Sequence, residues 1–538
     1  MRIFSDHKPF WLLLAGTFAV HSLLMAVPPL NSDEAFIWEW SRHLALGYYS
    51  HPPMSAWVLA AVTALLGTSA YTVRLGSLLL HLGTVALLYR ACNEILPARR
   101  MTLLALVTFV LLPVSVLLGT MVSSDMALLF FWMATAWLTK RAIVDGERSR
   151  WYLAGVTAGA MLLSKFFAVL FFPGLLAFLL LHRDYRRELA RKEPWIAAVI
   201  ALAVFSPFIY WNATHQWLTF QFNLENRQAG AHLDPLRPLL YVAGQMIAAS
   251  PAVLVALVVA LAAVLAAGWR RLRRPRPTWV VQDAAAEGRR LDGLLCYAVL
   301  TAAPLLVFVP VSLRSVVGAH WAAVVFPTGM LVLTAWLYDL PGTRVGAHGP
   351  RLRMRTTWMC GVLLLASSLP LMVIVLYPRV LPQRFIAYDE ARQKSTDVAQ
   401  YWGWQEVGRR IGELRAQYGS LPGGLWFSTR DYSDASLLGF YSTTRERFAL
   451  MGYRRDEIHG RDFLYWAAPV KQPGSNSIFV MDDPFPNNLE RVQPYFREVR
   501  PLDPPLVIRD PEGRVLRKYF FALCLDYQGG EPDVLSRW

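Results

Sequence analysis

Apolar runs recur along this 538-residue chain at about 10–30, 56–90, 101–118, 126–140, 151–181, 195–212, 239–267, 293–313, 321–340 and 358–377. Most have the roughly 17–25 residues with which a helix crosses about 30 Å of hydrocarbon. The run 151–181 is too long for one ordinary span and is interrupted by Ser164 and Lys165, so it reads as a helical hairpin with short arms. With that hairpin the pattern predicts about eleven membrane spans over residues 1–377.

Beyond residue 377 the pattern changes. The segment 378–538 is rich in Pro, Tyr, Arg and Asp; "GGLWFST", "SNSIFVMDD" and "REVRPLDPPLVI" read as short strands, and "VGRRIGELRAQYG" as a helix. The fold class is therefore mainly α, a polytopic membrane module at 1–377 followed by a soluble mixed α/β domain at 378–538. The apolar stretch near the N-terminus is long and no small-x-small cleavage pattern precedes the next loop, which predicts an uncleaved first span.

Charge then sets the orientation. The 53 Lys and Arg outnumber the 38 Asp and Glu, yet they sit in short clusters between apolar runs: "PARR", "KRAIVDGERSR", "HRDYRRELARK", "WRRLRRPRP" and "RLRMR". That is the positive-inside distribution rather than a nucleic-acid groove, so nucleic acid is excluded as a partner and the bilayer is the expected one. The loops near 31–55, 119–125, 213–238 and 314–320 are poor in bases and are expected outside, with the tail. Only the hairpin reading of 151–181 keeps this alternation consistent. Four scattered cysteines form no CxxC pair and suggest neither a disulfide framework nor a thiolate metal site.

The first outer loop, "NSDEAFIWEWSRHLALGYYSHPPM", carries the adjacent acids Asp33 and Glu34 among five aromatics that suit a bilayer interface. These acids suit a helix cap and first turn, and equally a partly desolvated base. The second outer loop, "GTMVSSDMALLFFW", delivers one charge, Asp125, again a helix-start residue or a functional carboxylate.

The Asp-Glu pair after the first span, the "HPP" that follows, and the isolated Asp at the head of a later span resemble the GT-C glycosyltransferases, within them the protein mannosyltransferase and lipid A aminoarabinose transferase group. The resemblance runs over roughly 10–340 and matches the tail only in position. It implies transfer of a sugar from a polyprenyl-phosphate donor to an envelope acceptor: lipid A, another glycolipid, a polysaccharide or, less readily, a protein. The place implied is the outer face of the membrane; the Ala-, Leu- and Arg-rich composition and the compactness of the chain point to a bacterium, and so to the periplasmic side of an inner membrane. It implies Asp33 as catalytic base, with Glu34 and Asp125 at the family's other acidic positions. His51, Pro52 and Pro53 match the mannosyltransferase His-Pro-Pro; aminoarabinose transferases have there a Lys that contacts the donor phosphate, and an ordinary His is only partly protonated near neutral pH.

The departing polyprenyl phosphate needs cations rather than a strong acid, and one base acting in line would invert the anomeric centre. Lys165, Arg42 and Arg314 are the candidate cations beside His51; a Lys in an apolar span is costly enough to be functional, or else it snorkels or forms a structural ion pair. His215 and His320 lie on outer loops and are candidate ligands of a divalent metal with Glu34 or Asp125, since some family members bind one, or hydrogen-bonded interfacial residues. The readings from other classes are a transporter or flippase of polyprenyl-linked lipid, and a non-catalytic envelope sensor.

Overall fold

The computed structural model describes residues 7–224, 232–273, 282–338, 350–376, 401–451, 471–482 and 489–530, with Val380, Tyr388, Asp389, Thr396, Asp462, Phe463 and Trp466. Among these, six helices are long and apolar enough to cross a membrane: Lys8–Ala26, Ala70–Ile95, Lys192–Thr214, Pro251–Leu272, Glu287–Ser312 and Thr357–Ile374. The pair Arg99–Leu111 and Pro113–Thr120 is long and apolar enough only when taken together, as a broken span or a re-entrant loop, and is bent by 66° where Pro113 lacks the N–H that would continue the ladder. The eleven spans expected from hydropathy are not matched one for one, because Met54–Leu66, Phe166–Leu181 and Val325–Leu337 are shorter apolar helices. The chain is a helical, polytopic membrane protein.

The hairpin is present. Helix Arg150–Leu162 stops, Lys165 is extended (φ −164°, ψ 150°), and a short 3-10 turn leads into Phe171–Leu181. Gly155 and Gly159 let the first arm meet Lys192–Thr214 at backbone distance: a Cβ on either would lie 2.5 Å from Ala197 or Val204. Small residues at such a seam are how membrane helices approach closely.

The run 56–90 is also broken, at Gly67 (φ 77°), and a Ser69–Thr72 capping box starts the next helix. Met54–Leu66 is 13 residues, about 20 Å at 1.5 Å per residue, and ends on exposed Leu65 and Leu66. Arg74, four residues into Ala70–Ile95, bonds Glu34 of the first loop, so both ends of Met54–Leu66 lie on one side. The short helix therefore runs along that side and does not cross.

The tail builds a mixed sheet in the order β2-β1-β3-β6-β4, with β5 also on β6. Strands β1 (Leu425–Thr429), β2 (Phe448–Leu450) and β3 (Asn476–Met481) are parallel; β4 (Phe496–Pro501), β5 (Leu506–Arg509) and β6 (Val515–Tyr527) run antiparallel to their partners. The three expected strand segments and the helix at Trp404–Tyr418 are found. The 13-residue β6, which pairs with three strands, was not read from sequence; its "VLRKYFFALCLDY" is nearly continuous apolar after the first turn, which does not distinguish a buried strand from a helix.

This domain sits directly on the first loop. The loop helix Ser32–Arg42 packs against the tail helix Tyr432–Tyr441: Phe36 meets Tyr432 at 4.7 Å, Trp38 meets Phe440 edge-on at 5.0 Å, and Tyr441 Oη accepts from Leu30 N–H at 2.7 Å. Buried Asp462 clamps the loop from the tail, accepting from Trp40 Nε1 (3.1 Å) and Tyr49 N (2.9 Å). Burial pushes the Asp462 carboxyl up to about 6, and burial also pushes Glu39 up to about 7 against the pull of Arg42.

Both acids bind protons more tightly when docked than when exposed, so their ionisation opposes docking. Stability of this interface is expected to fall as pH rises from about 4 to about 7, the window between the ordinary and the raised values. Thermal unfolding of the purified protein across that range checks the sign. Asp462→Ala is expected to flatten part of the slope and to cost about 1–3 kcal/mol for each of the two stranded N–H donors.

Candidate active site at the tail-side boundary

Asn31 caps the loop helix, not Ser32: its side chain accepts from Glu34 N at 3.0 Å while Glu34 Oε2 accepts from Asn31 N at 3.0 Å. This capping box turns Glu34 inward and leaves its neighbour Asp33 exposed on the first turn. Glu34 then meets Arg74, each 1% exposed, in a two-pronged pair: Nε to Oε1 at 2.7 Å and Nη2 to Oε2 at 2.6 Å. Arg74 also donates to the carbonyls of Met25, Pro28 and Pro29, and Glu34 Oε1 accepts from Val122 N at 3.1 Å. Glu34, expected beside Asp33 as a catalytic carboxylate, has both oxygens committed to this network.

The same network gathers the second loop. Val122 is held by Glu34, and three residues later Asp125 enters the first turn of Ser124–Ile143 behind an N-cap, Ser123, whose side chain makes no capping bond. Asp125 is buried against Lys165, whose Nζ lies 2.8 Å from each carboxylate oxygen and 5.3 Å from the Phe167 ring. The hairpin turn therefore brings Lys165 to the boundary. Met54 N donates to Leu163 O at 3.1 Å, which ties the end of the His51-Pro52-Pro53 stretch to that turn. His51 itself bonds Ser50 Oγ through Nδ1 (2.9 Å) and lies 5.6 Å from the Trp40 ring.

His320 Nε2 stands 3.8 Å from Asp125 on a half-exposed side chain, so it joins this group. The remaining candidates do not. His215 stacks on Trp211 at 4.2 Å and places Nδ1 2.8 Å from the Trp211 carbonyl. Arg42, at the far end of the loop helix, bonds Glu39; the exposed Arg314 accepts through its carbonyl from Arg237. Among the described residues no three His, Cys, Asp or Glu form a group suited to a metal ion. The donor set explains this: Lys165 occupies both oxygens of Asp125, and Arg74 with backbone amides occupies those of Glu34. These residues do not fit the divalent ion considered from sequence.

Two further contributors come from the tail. Tyr432 and Tyr401 lie within electrostatic reach of Asp33; burial chiefly pushes both phenols up, and the Asp33 charge adds to it. Sequence reasoning missed them, since no local signal links them to residue 33. It also missed Arg74, although a charge inside "YTVRLGSLLL" is the same kind of signal that singled out Lys165.

These features define a helical membrane fold with one polar boundary site roofed by a soluble domain, and solved structures share that fold. ArnT from Cupriavidus metallidurans matches over 96% of this chain and 98% of its own, with TM-score 0.58 and 16% identity in the apo state. Its complex with undecaprenyl phosphate matches at TM-score 0.61 and 15% identity over the same shares. The likeness extends to the tail. In sequence, residues 50–211 match the family of the dolichyl-phosphate-mannose-protein mannosyltransferases. The lipid A galacturonosyltransferase RgtD of Rhizobium johnstonii is 34% identical over 188 residues, 34% of this chain and 38% of that relative, so the match spans well under half of each protein. The likeness thus covers 96% of the chain in fold, and residues 50–211, with the His51-Pro52-Pro53 stretch among them, in sequence.

Breaking the Glu34–Arg74 pair from one side leaves a buried charge unpaired. Arg74→Met is expected to destabilise the protein by roughly 3–5 kcal/mol, and adding Glu34→Gln to recover much of that. Melting temperatures of the single and double variants in one detergent measure both.

Proposed function

We propose that this protein is a membrane glycosyltransferase that moves a sugar from a polyprenyl-phosphate donor to a lipid A-type glycolipid, with Asp33 as base. The observation that carries the reading is the convergence of exposed Asp33, the Asp125–Lys165 pair and the His51 stretch at one boundary. The match of residues 50–211 to the mannosyltransferase family and the similarity to a lipid A galacturonosyltransferase support the reaction class. A fold shared with a protein crystallised with undecaprenyl phosphate supports the donor class.

In this reading the acceptor O–H gives its proton to the Asp33 carboxylate. The oxygen attacks the anomeric carbon, and the carbon–oxygen bond to phosphate breaks with its electron pair leaving on polyprenyl phosphate. The in-line geometry inverts the anomeric centre. Lys165, oriented by Asp125, and His51 neutralise the departing phosphate; Lys165 supplies the permanent charge that His51 lacks. Glu34 is a positioning residue: its pairing with Arg74 fixes the first turn from which Asp33 projects. Tyr401 and Tyr432 place the tail against the acceptor side, so 378–538 acts as an acceptor-facing domain over the catalytic module 1–377. The positive-inside pattern supports an outer, periplasmic location of this boundary in a bacterial inner membrane.

A transporter reading gains nothing from an exposed carboxylate at the boundary, and a sensor does not need the Lys165 pair. Asp33→Asn is expected to lower kcat by about 10²–10⁴-fold with donor affinity unchanged, as for loss of a general base. Radiolabelled sugar transfer alongside donor binding in detergent tests it; full transfer by Asp33→Asn defeats the assignment. Lys165→Met is expected to weaken binding of polyprenyl phosphate itself, which the same binding assay reads.

A further inference from the structure

At the end of the loop helix remote from Asp33, three arginines meet where the tail helix ends. Arg42 donates through Nη1 to Glu39 Oε1 (2.9 Å) and through Nη2 to the carbonyl of Arg445 (3.0 Å), with its guanidinium 4.6 Å from the Trp38 ring. The Arg445 guanidinium lies 4.3 Å from the Phe440 ring and 5.8 Å from Trp38. Arg445 has a left-handed backbone (φ 51°), which costs a non-glycine residue energy and is held by its N–H to Ser442 O (3.1 Å) and by the Arg42 contact to its carbonyl. Arg447, two residues on, is exposed, and its charge reaches Glu39 and His43.

Charge here is not balanced. Among the described residues the Arg445 and Arg447 side chains make no hydrogen bond or ion pair, and the neighbouring Glu446 is taken by Arg415. Glu39 is the acid in contact with the group, and burial pushes its carboxyl up to about 7, so near neutral pH it carries only part of a charge. Burial and the Arg42 charge push the Arg445 guanidinium down, the mark of a cation crowded by a like charge. His43 Nε2 is buried with no hydrogen-bond partner among the described residues.

We propose that Arg42, Arg445 and Arg447 form an anion site that takes the phosphate of a lipid headgroup. Guanidinium forks match phosphate oxygens two at a time, and rings beneath them hold the forks in place at little entropic cost. The site lies about 13 Å along the loop helix from Asp33, nine residues at 1.5 Å each, so it is separate from the proposed base. It opens where the tail meets the membrane-boundary loop, the level at which headgroups lie. A phosphate there comes from a phosphorylated acceptor or from a bilayer phospholipid. Assigning it to the acceptor rests on the transferase reading; the site itself does not.

The test uses the full chain in phosphatidylcholine nanodiscs without donor, titrated with bisphosphorylated lipid A, with the same lipid freed of phosphate, and with phosphatidylglycerol. The expected result is binding of the bisphosphorylated form about tenfold tighter than the dephosphorylated one. That preference should be lost in Arg445→Gln and weakened in Arg447→Gln, an exposed position whose change leaves packing intact. Asp33→Asn should keep it, so a failed transferase reading remains distinguishable. If phosphatidylglycerol binds with the same arginine dependence, the site stands and the bilayer is a source. Equal binding of the two lipid A forms, with phosphatidylglycerol insensitive to both substitutions, overturns the proposal.

Discussion

The buried ion pair between Glu34 and Arg74 is the contact on which the boundary site depends. It joins four pieces of chain: the end of the first span through the carbonyls of Met25, Pro28 and Pro29, the loop helix, the head of Ala70–Ile95, and the second loop through Val122. A buried pair is expensive to desolvate and adds little net stability over apolar packing. Its effect here is geometric. With every oxygen of Glu34 bound, the register of the loop helix is fixed, and Asp33, one residue earlier, can only project outward.

A second pair, Asp125 with Lys165, repeats the arrangement more openly. Lys165 is affordable within apolar surroundings because the broken hairpin delivers it to the boundary and the carboxylate receives it. The two pairs differ in their surroundings. Arg74 is saturated by five hydrogen bonds, whereas the Asp125–Lys165 pair borders the half-exposed His320.

The soluble domain completes what the bundle starts. Its tail helix and Asp462 hold the aromatic loop, and Tyr401 and Tyr432 lie within electrostatic reach of Asp33. The loop aromatics read from sequence as a membrane-interface anchor are in part buried against this domain: Trp38 on Phe440 and Phe36 on Tyr432. An amphipathic ring suits either surface, and composition alone cannot choose between them.

Much of this was legible along the chain. Apolar length gave the membrane module, and Ser164-Lys165 inside an apolar run gave the hairpin and its cation, because each of these is a local cost in hydrocarbon that only one arrangement relieves. The candidate acids Asp33 and Asp125 were visible for the same reason. What the tertiary structure decided was partnership. It separated Asp33 from Glu34 by a capping box, assigned Glu34 to an Arg forty residues away, and turned Arg42 toward Glu39 and the tail. Pairing of buried charges is settled by three-dimensional proximity in a low dielectric, which leaves no period or spacing in the sequence to read.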